Sequence, residues 1–347
     1  MVVRRELTLA ECIDGLSEMK QYEEPPPQKT PTSYRYILHL YSGVRRQGDF
    51  HTYMESLQPP DGHSFYVASV DLVLHARLGD LLDRKAQNHW LDMAAQGAVY
   101  AVLAGPPCES WSVARFRFHL TGEGPKPIRS GHSLHDEIWG LRTMRIRDVC
   151  QADVANQLLL FMALLIIIQW TCNGLAILEH PELPEVKQGC QPPSIWILPI
   201  FKFLMSLQGI HVLHIYQGFW GARSPKPTAL LVVARGAEER DLYTSLNRTK
   251  TRSTLPRALE MGKTDNGKSY NTAALKRYPP ALCEGLSFML YDLLHLVPSQ
   301  RVDMDSFQDV FDIFARAYHQ SFEQHDGQDY VPHEQKHTAK LGASNPP

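Results

Sequence analysis

The chain has few of the signs that mark several large protein classes. Its cysteines, at positions 12, 108, 150, 172, 190 and 283, form no C-x-x-C pair, and H-E-x-x-H is absent. Both absences argue against a structural zinc site, and no metal is expected. Charge of one sign is lacking too: 35 Lys+Arg against 37 Asp+Glu leave a net −2. No global field therefore drives the protein onto nucleic acid or membrane. Long hydrophobic runs are also missing. The greasiest stretch, Leu158 to Ile168, is little more than half the roughly 20 residues a membrane span needs, so a buried helix is expected there. The opening MVVRRELTLAECIDG has no apolar segment of signal-peptide length. The expected location is intracellular, nuclear or cytoplasmic rather than secreted, with the cysteines as free thiols.

Two phosphate-binding signatures can be set aside. The turn Gly43-Val-Arg-Arg-Gln-Gly48 lacks G-x-G-x-x-G spacing. Gly262 to Ser269 satisfies G-x-x-x-x-G-K-S literally. That motif must follow a buried strand and open a helix. Leu255–Met261 is not strand-like, and Pro279-Pro280 interrupts the segment downstream of the motif.

Hydrophobic residues make up 44% of the 347 positions, enough for a sizeable core, which excludes wholesale disorder. Length alone suggests two domains, but the patterning resolves into one main domain with flexible termini. Residues 1–33 end in EEPPPQKTP and read as an extended Pro-rich linker. Residues 34–298 carry apolar runs expected as strands at 34–41, 64–70, 98–104, 175–178, 211–216 and 228–234. Between them lie helical patterns at 81–96, 154–170 and 194–207, the last kinked or delayed by Pro199. Residues 299–347 hold an amphipathic helix (Phe307, Val310, Phe311, Phe314, Tyr318) and a polar tail expected to be disordered. Apolar strands alternating with helices indicate a sheet covered on both faces. The expected fold is α/β: a Rossmann-like, doubly wound, mostly parallel sheet.

Ligands of such folds bind outside the carboxyl ends of the strands. Ser42-Gly43, Asp71, Gly105-Pro-Pro-Cys108 and Glu179 all fall there. Asp71 could accept hydrogen bonds from a ribose diol or simply cap a strand. Cys108, behind two stiffening prolines, is placed as a nucleophile or as an inert turn cysteine. Glu179 could hold or donate a proton in a partly dry setting, or be a solvated strand-end acid.

Taken in order, LHLYSG, Asp71, LAGPPCESWS and LEHP resemble the cytosine-5 DNA methyltransferases. The likeness covers about residues 34–290 and is closest to the divergent copies carried by phages and retroelements. YQGFWGARSPKPTALLVV and TAALKRYPPALC are similar to later family segments. The resemblance implies the S-adenosylmethionine-dependent methyltransferase fold and that cofactor, with Ser42, Gly43, Asp71, Asp80 and Pro106 around it. It implies Cys108 as the nucleophile toward C6 of a flipped cytosine and Glu179 as its partner at N3. Ser110, Arg115, Arg223 and Lys226 would face the DNA substrate. In this chain Val44-Arg45-Arg46-Gln47 replaces the family's glycine-rich turn, and His180-Pro181 replaces Asn-Val. The alternative is a catalytically inactive, degenerate remnant that at most binds nucleic acid. Whether the arginines of the 43–48 turn fill the cofactor's space separates the two. Local basic excess fits a DNA partner: ten basic residues against five acids over 235–277, and seven against three from Arg115 to Arg147. The 235–277 segment is the candidate for sequence recognition.

Overall fold

The computed structural model describes residues 34–296, apart from 60–62, 114, 116–124, 132–135, 187–190 and 257–276, together with Asp312. The Pro-rich linker, the helix expected over Phe307–Tyr318, the tail and the 262–269 motif lie outside the described residues.

Six strands form one sheet in the order β2-β1-β3-β4-β6-β5. They are β1 (Tyr34–Leu40), β2 (Ser64–Val70), β3 (Val99–Ala104), β4 (Leu175–Pro181), β5 (Ile210–Tyr216) and β6 (Pro227–Val233). β2, β1, β3 and β4 run parallel, whereas β6 pairs antiparallel with both β4 and β5. The helices are α1 (Phe50–Ser56), α2 (Arg84–Ala95), α3 (Ile146–Thr171), α4 (Pro199–Ser206), α5 (Glu239–Asn247) and α6 (Pro280–Leu293). The protein is thus a single α/β domain with a mixed, mostly parallel sheet flanked by helices.

The two-residue period of the strands divides the core. Leu38, Leu40, Val102, Ala104, Ala176 and Leu178 face one side, where they pack with Trp90 and Leu91 of α2, the apolar body of α3 and Phe201 of α4. Ile37, Ala101, Leu103 and Ile177 face the other, against Phe50 of α1, Leu242 of α5 and Leu286 and Met289 of α6. Each buried Val, Leu, Ile, Phe or Met among them contributes about 1.5–3 kcal/mol. Helix α3 has the length and apolarity of a membrane span, but two thirds of its most apolar window is buried inside the protein (67%).

Three expectations need correcting. Glu179 is not at a strand end: β4 continues through Glu179 and His180 to Pro181, because β6 lies alongside and pairs Glu179 with Leu230. Helix α3 begins at Ile146, eight residues ahead of the expected start. Helices α1, α5 and α6 were not expected at all; Asp49 caps α1 by accepting a hydrogen bond from the Thr52 amide at 2.9 Å, and Pro280 opens α6. The proline of α4 behaves as expected, since Pro199 is its first residue.

One buried cation ties the segment after β3 to the domain. Arg129 is only 1% exposed and stacks its guanidinium 3.8 Å from the centre of the Trp111 ring. Nη1 donates to the Ile138 and Trp139 carbonyls, and Nη2 to Ser110 Oγ and the Ala152 carbonyl. A lysine is a point charge and cannot span this fork. Arg129→Lys is therefore expected to destabilise the fold by about 3 kcal/mol, because buried acceptors are left unpaired. A lower urea midpoint with an unchanged denaturant slope would show it.

Candidate active site

The strand order sets where a ligand can lie. The connection after β1 leads outward to β2, and the one after β3 leads the opposite way to β4. Such a divergence opens a crevice at the carboxyl ends of the two adjacent strands. Here those ends carry Tyr41-Ser42-Gly43 and Gly105-Pro106-Pro107-Cys108.

On the β1 side, the Gly43 amide donates to Asp71 Oδ2 at 2.9 Å, and the Val73 amide to Oδ1 at 3.1 Å. Asp71 therefore braces the turn, with lone pairs remaining on both oxygens. The chain from Asp71 to Asp80 folds back through His75 N–H to Asp71 C=O and Gly79 N–H to His75 C=O. This hairpin of turns brings Asp80 beside Asp71 without an intervening helix and strand. It depends on Gly79: a Cβ there would stand 2.1 Å from the Asp71 carbonyl oxygen. Asp80 itself accepts from the Leu82 amide.

The arginines of the turn are committed in different directions. Arg45 Nε reaches Asp49 Oδ2 at 2.7 Å. Burial opposes the charge of Asp49, but hydrogen bonds from Arg45, Arg46 and Thr52 hold its carboxyl well below the usual range. Arg46 extends to the carbonyl oxygen of Tyr278, just ahead of α6. Beside Gly43 the turn is open, with no atom within 4 Å of where a Cβ would project.

On the β3 side, Pro106 is buried and Cys108 half-buried at the start of a 3-10 turn over Glu109–Trp111. Burial and, second to it, the charge of Glu179 push the Cys108 thiol up to about 12. Glu179 is 6% exposed. Its Oε1 accepts from Gln217 Nε2 at 2.9 Å and lies 3.6 Å from Lys226 Nζ. Its Oε2 accepts from the Tyr278 hydroxyl at 3.1 Å. Gln217 also donates to Thr228 Oγ1, while its own Oε1 is buried without a partner among the described residues. Lys226 sits at a left-handed φ of +42°, held where its carbonyl accepts from the Gln217 amide. Such a conformation costs a non-glycine residue about 1–2 kcal/mol; strained residues of this kind cluster at functional sites.

Of the residues singled out in the sequence, Cys108, Glu179 and Lys226 thus come together, with Ser42, Gly43, Asp71, Asp80 and Pro106 along the adjoining crevice. Ser110 and Arg115 have other occupations. Ser110 is buried and accepts from Arg129. Arg115 donates to the Glu109 and Lys126 carbonyls and to Gln151 Oε1, so it shapes the loop. Arg223 is exposed. Sequence reasoning flagged Arg46 only as a residue of the turn, without its contact to Tyr278, and did not single out Gln217, Thr228 or Tyr278. For Tyr278 the available signals were the stiff Pro-Pro immediately after it and its place in the TAALKRYPPALC segment.

His180 points to the opposite sheet face, among Trp111 and Trp196, where burial lowers it to about 3 and keeps it neutral. A groove of about 340 Å³ also lies on that face, lined by Pro107, Glu109 and Ser110 and by Cys150, Gln151, Val154 and Ala155 of α3. It runs behind the Cys108 turn rather than over Glu179.

No protein-family model matches the chain, and no curated protein or solved structure matches it either.

Gly79→Ala must displace the Asp71 carbonyl, an overpacking expected to cost about 1–3 kcal/mol and to free Asp71 from the turn; thermal unfolding would register the loss. A second expectation concerns the thiol. In the free protein, alkylation of Cys108 should keep rising with pH toward about 12, because a raised thiol pKa leaves little thiolate at neutrality. Peptide mapping of iodoacetamide labelling against pH measures it.

Proposed function

We propose that this chain is a DNA cytosine-5 methyltransferase, acting on a flipped cytosine through a covalent adduct at Cys108. The observation that carries this reading is the meeting of a thiol, a buried carboxylate and a cation at the carboxyl-end edge of the sheet. Cys108 follows β3, Glu179 lies in β4 and Lys226 precedes β6, and Glu179 acts electrostatically on the Cys108 thiol.

The fold supports it at a coarser level. A doubly wound, Rossmann-like sheet has its ligand crevice where the connections diverge, which here is between the ends of β1 and β3. The residues fit the cofactor at three points: open space beside Gly43, Asp71 at the next strand end, and Asp80 brought close by the Gly79 turn.

S-adenosylmethionine supplies the electrophilic methyl group. The chain's own residues do the rest. Cys108 gives its proton to the Glu179 carboxylate and bonds to C6 as the thiolate, while Glu179 passes that proton to N3, which relieves the negative charge that attack pushes into the ring. Once C5 carries the methyl group, its proton passes to solvent, the S–C6 bond breaks and the ring regains its double bond. Lys226 holds Glu179 from one side. The buried Gln217 Oε1 offers an unpaired acceptor to an amino edge. A base inside the duplex stack hides C6 from a thiol, so flipping is required, at a cost of a few kcal/mol. Exposed Arg145 and Arg147 at the start of α3, and Arg223 near Lys226, suit phosphate contact.

The second reading, an inactive remnant that at most binds nucleic acid, is favoured by one observation: Arg46 stretches from the cofactor turn to Tyr278. Incubation with S-adenosylmethionine and a duplex carrying 5-fluorocytosine separates the two. Wild type is expected to form a covalent adduct and Cys108→Ser none, with Glu179→Gln slower by about 100-fold. Absence of both adduct and cofactor binding would establish the inactive reading.

A further inference from the structure

The pocket above Glu179 already contains a planar ring. Tyr278 donates its hydroxyl to Glu179 Oε2 at 3.1 Å. Lys226 Nζ stands 5.5 Å from the centre of its ring, within cation–π range. Against the backbone of β3 it fits only because Gly105 has no side chain: a Cβ there would lie 2.2 Å from the Tyr278 oxygen. The glycine ahead of the two prolines is therefore shaped around this phenol. From behind, Arg46 holds the Tyr278 carbonyl, and Pro279-Pro280 starts α6.

We propose that Tyr278 is an internal stand-in for the substrate base, occupying the Gly105–Glu179–Lys226 pocket at rest and swinging out when a flipped pyrimidine replaces it. This rests on the methyltransferase reading for the identity of the incoming ring. The chemistry matches at three points: a flat aromatic body, a donor toward the Glu179 carboxylate, which the exocyclic amino group of cytosine would replace, and a face toward a cation. A phenol has no electrophilic carbon for Cys108, so the stand-in satisfies the pocket without reacting. With the ring in place, water is kept from the site and the Glu179 carboxylate stays beside the thiol. Arg46 grips the Tyr278 main chain and not the ring, so turning the ring out leaves that bond in place.

The test uses the full chain as wild type, Tyr278→Phe and Tyr278→Ala. Cys108 labelling by iodoacetamide is followed by peptide mapping, with Cys172, half-buried on the other sheet face, as internal reference. Emptying the pocket in Tyr278→Ala is expected to speed Cys108 labelling at mildly alkaline pH by at least about tenfold, because a rehydrated thiol ionises more readily. Tyr278→Phe, which keeps the ring and loses only the hydrogen bond, should show a smaller rise. Cys172 should not change. Equal Cys108 rates in wild type and Tyr278→Ala overturn the proposal, as does a parallel rise at Cys172, which would mark general loosening. The 5-fluorocytosine duplex then separates the stand-in from the reaction. Faster labelling without an adduct in any variant keeps the stand-in and overturns the methyltransferase reading. Adduct formation at equal rates in wild type and Tyr278→Ala keeps that reading and overturns the stand-in.

Discussion

A carboxylate inside a β-sheet must be answered by donors, and Glu179 imposes that demand on this protein. Because β6 runs antiparallel beside β4, the residue is carried into the ladder and almost out of reach of water. A buried charge without partners is costly. Gln217, Lys226 and Tyr278 meet the need: the first two stand at the two ends of the β5–β6 connection, and the third on the approach to α6. The strain at Lys226 and the bare backbone at Gly105 are both consequences of gathering those donors around one side chain.

The opposite face of the sheet supplies rigidity. There Arg129 fastens the Ser110 hydroxyl, two carbonyls beyond the loop and one carbonyl of α3 into a single dry knot. Ser110 and Arg115 lie close to Cys108 in sequence, yet their polar atoms face into this knot and its loop. The Cys108 turn is thus pinned from the α2–α3–α4 side and faces the α1–α5–α6 side with its Glu179 neighbour. Period-two alternation makes that division: Glu179 and His180 are neighbours in the chain, but only Glu179 reaches the pocket.

Much of the scaffold was legible in the sequence, because unbroken apolar runs separated by helical spacing admit few arrangements other than a covered sheet. Strand direction was not, since a buried strand looks the same either way. A clue was present: only ten residues separate Tyr216 from Pro227, fewer than the dozen or more a parallel crossover needs. Helix α1 escaped because it has only two buried anchors, Phe50 and Met54, too few to display a period. The motif at Cys108, Glu179 and Lys226 could be read because each stands next to a recognisable strand. Arg46 and Tyr278 could not: they are 232 positions apart, and no local pattern encodes a contact between a side chain and a distant main-chain oxygen.

That one contact has a thermodynamic consequence. Arg46 belongs to the turn that borders the crevice, and Tyr278 belongs to the pocket beside the thiol. Losing that bond loosens two places at once, the turn after β1 and the approach to α6, although 232 positions of chain lie between them. Because the acceptor is a main-chain oxygen, the bond is indifferent to the side chain at 278 and survives any change there that leaves the backbone in place. A single guanidinium thereby works as a long-range staple, fastening the exit of β1 to the entrance of α6.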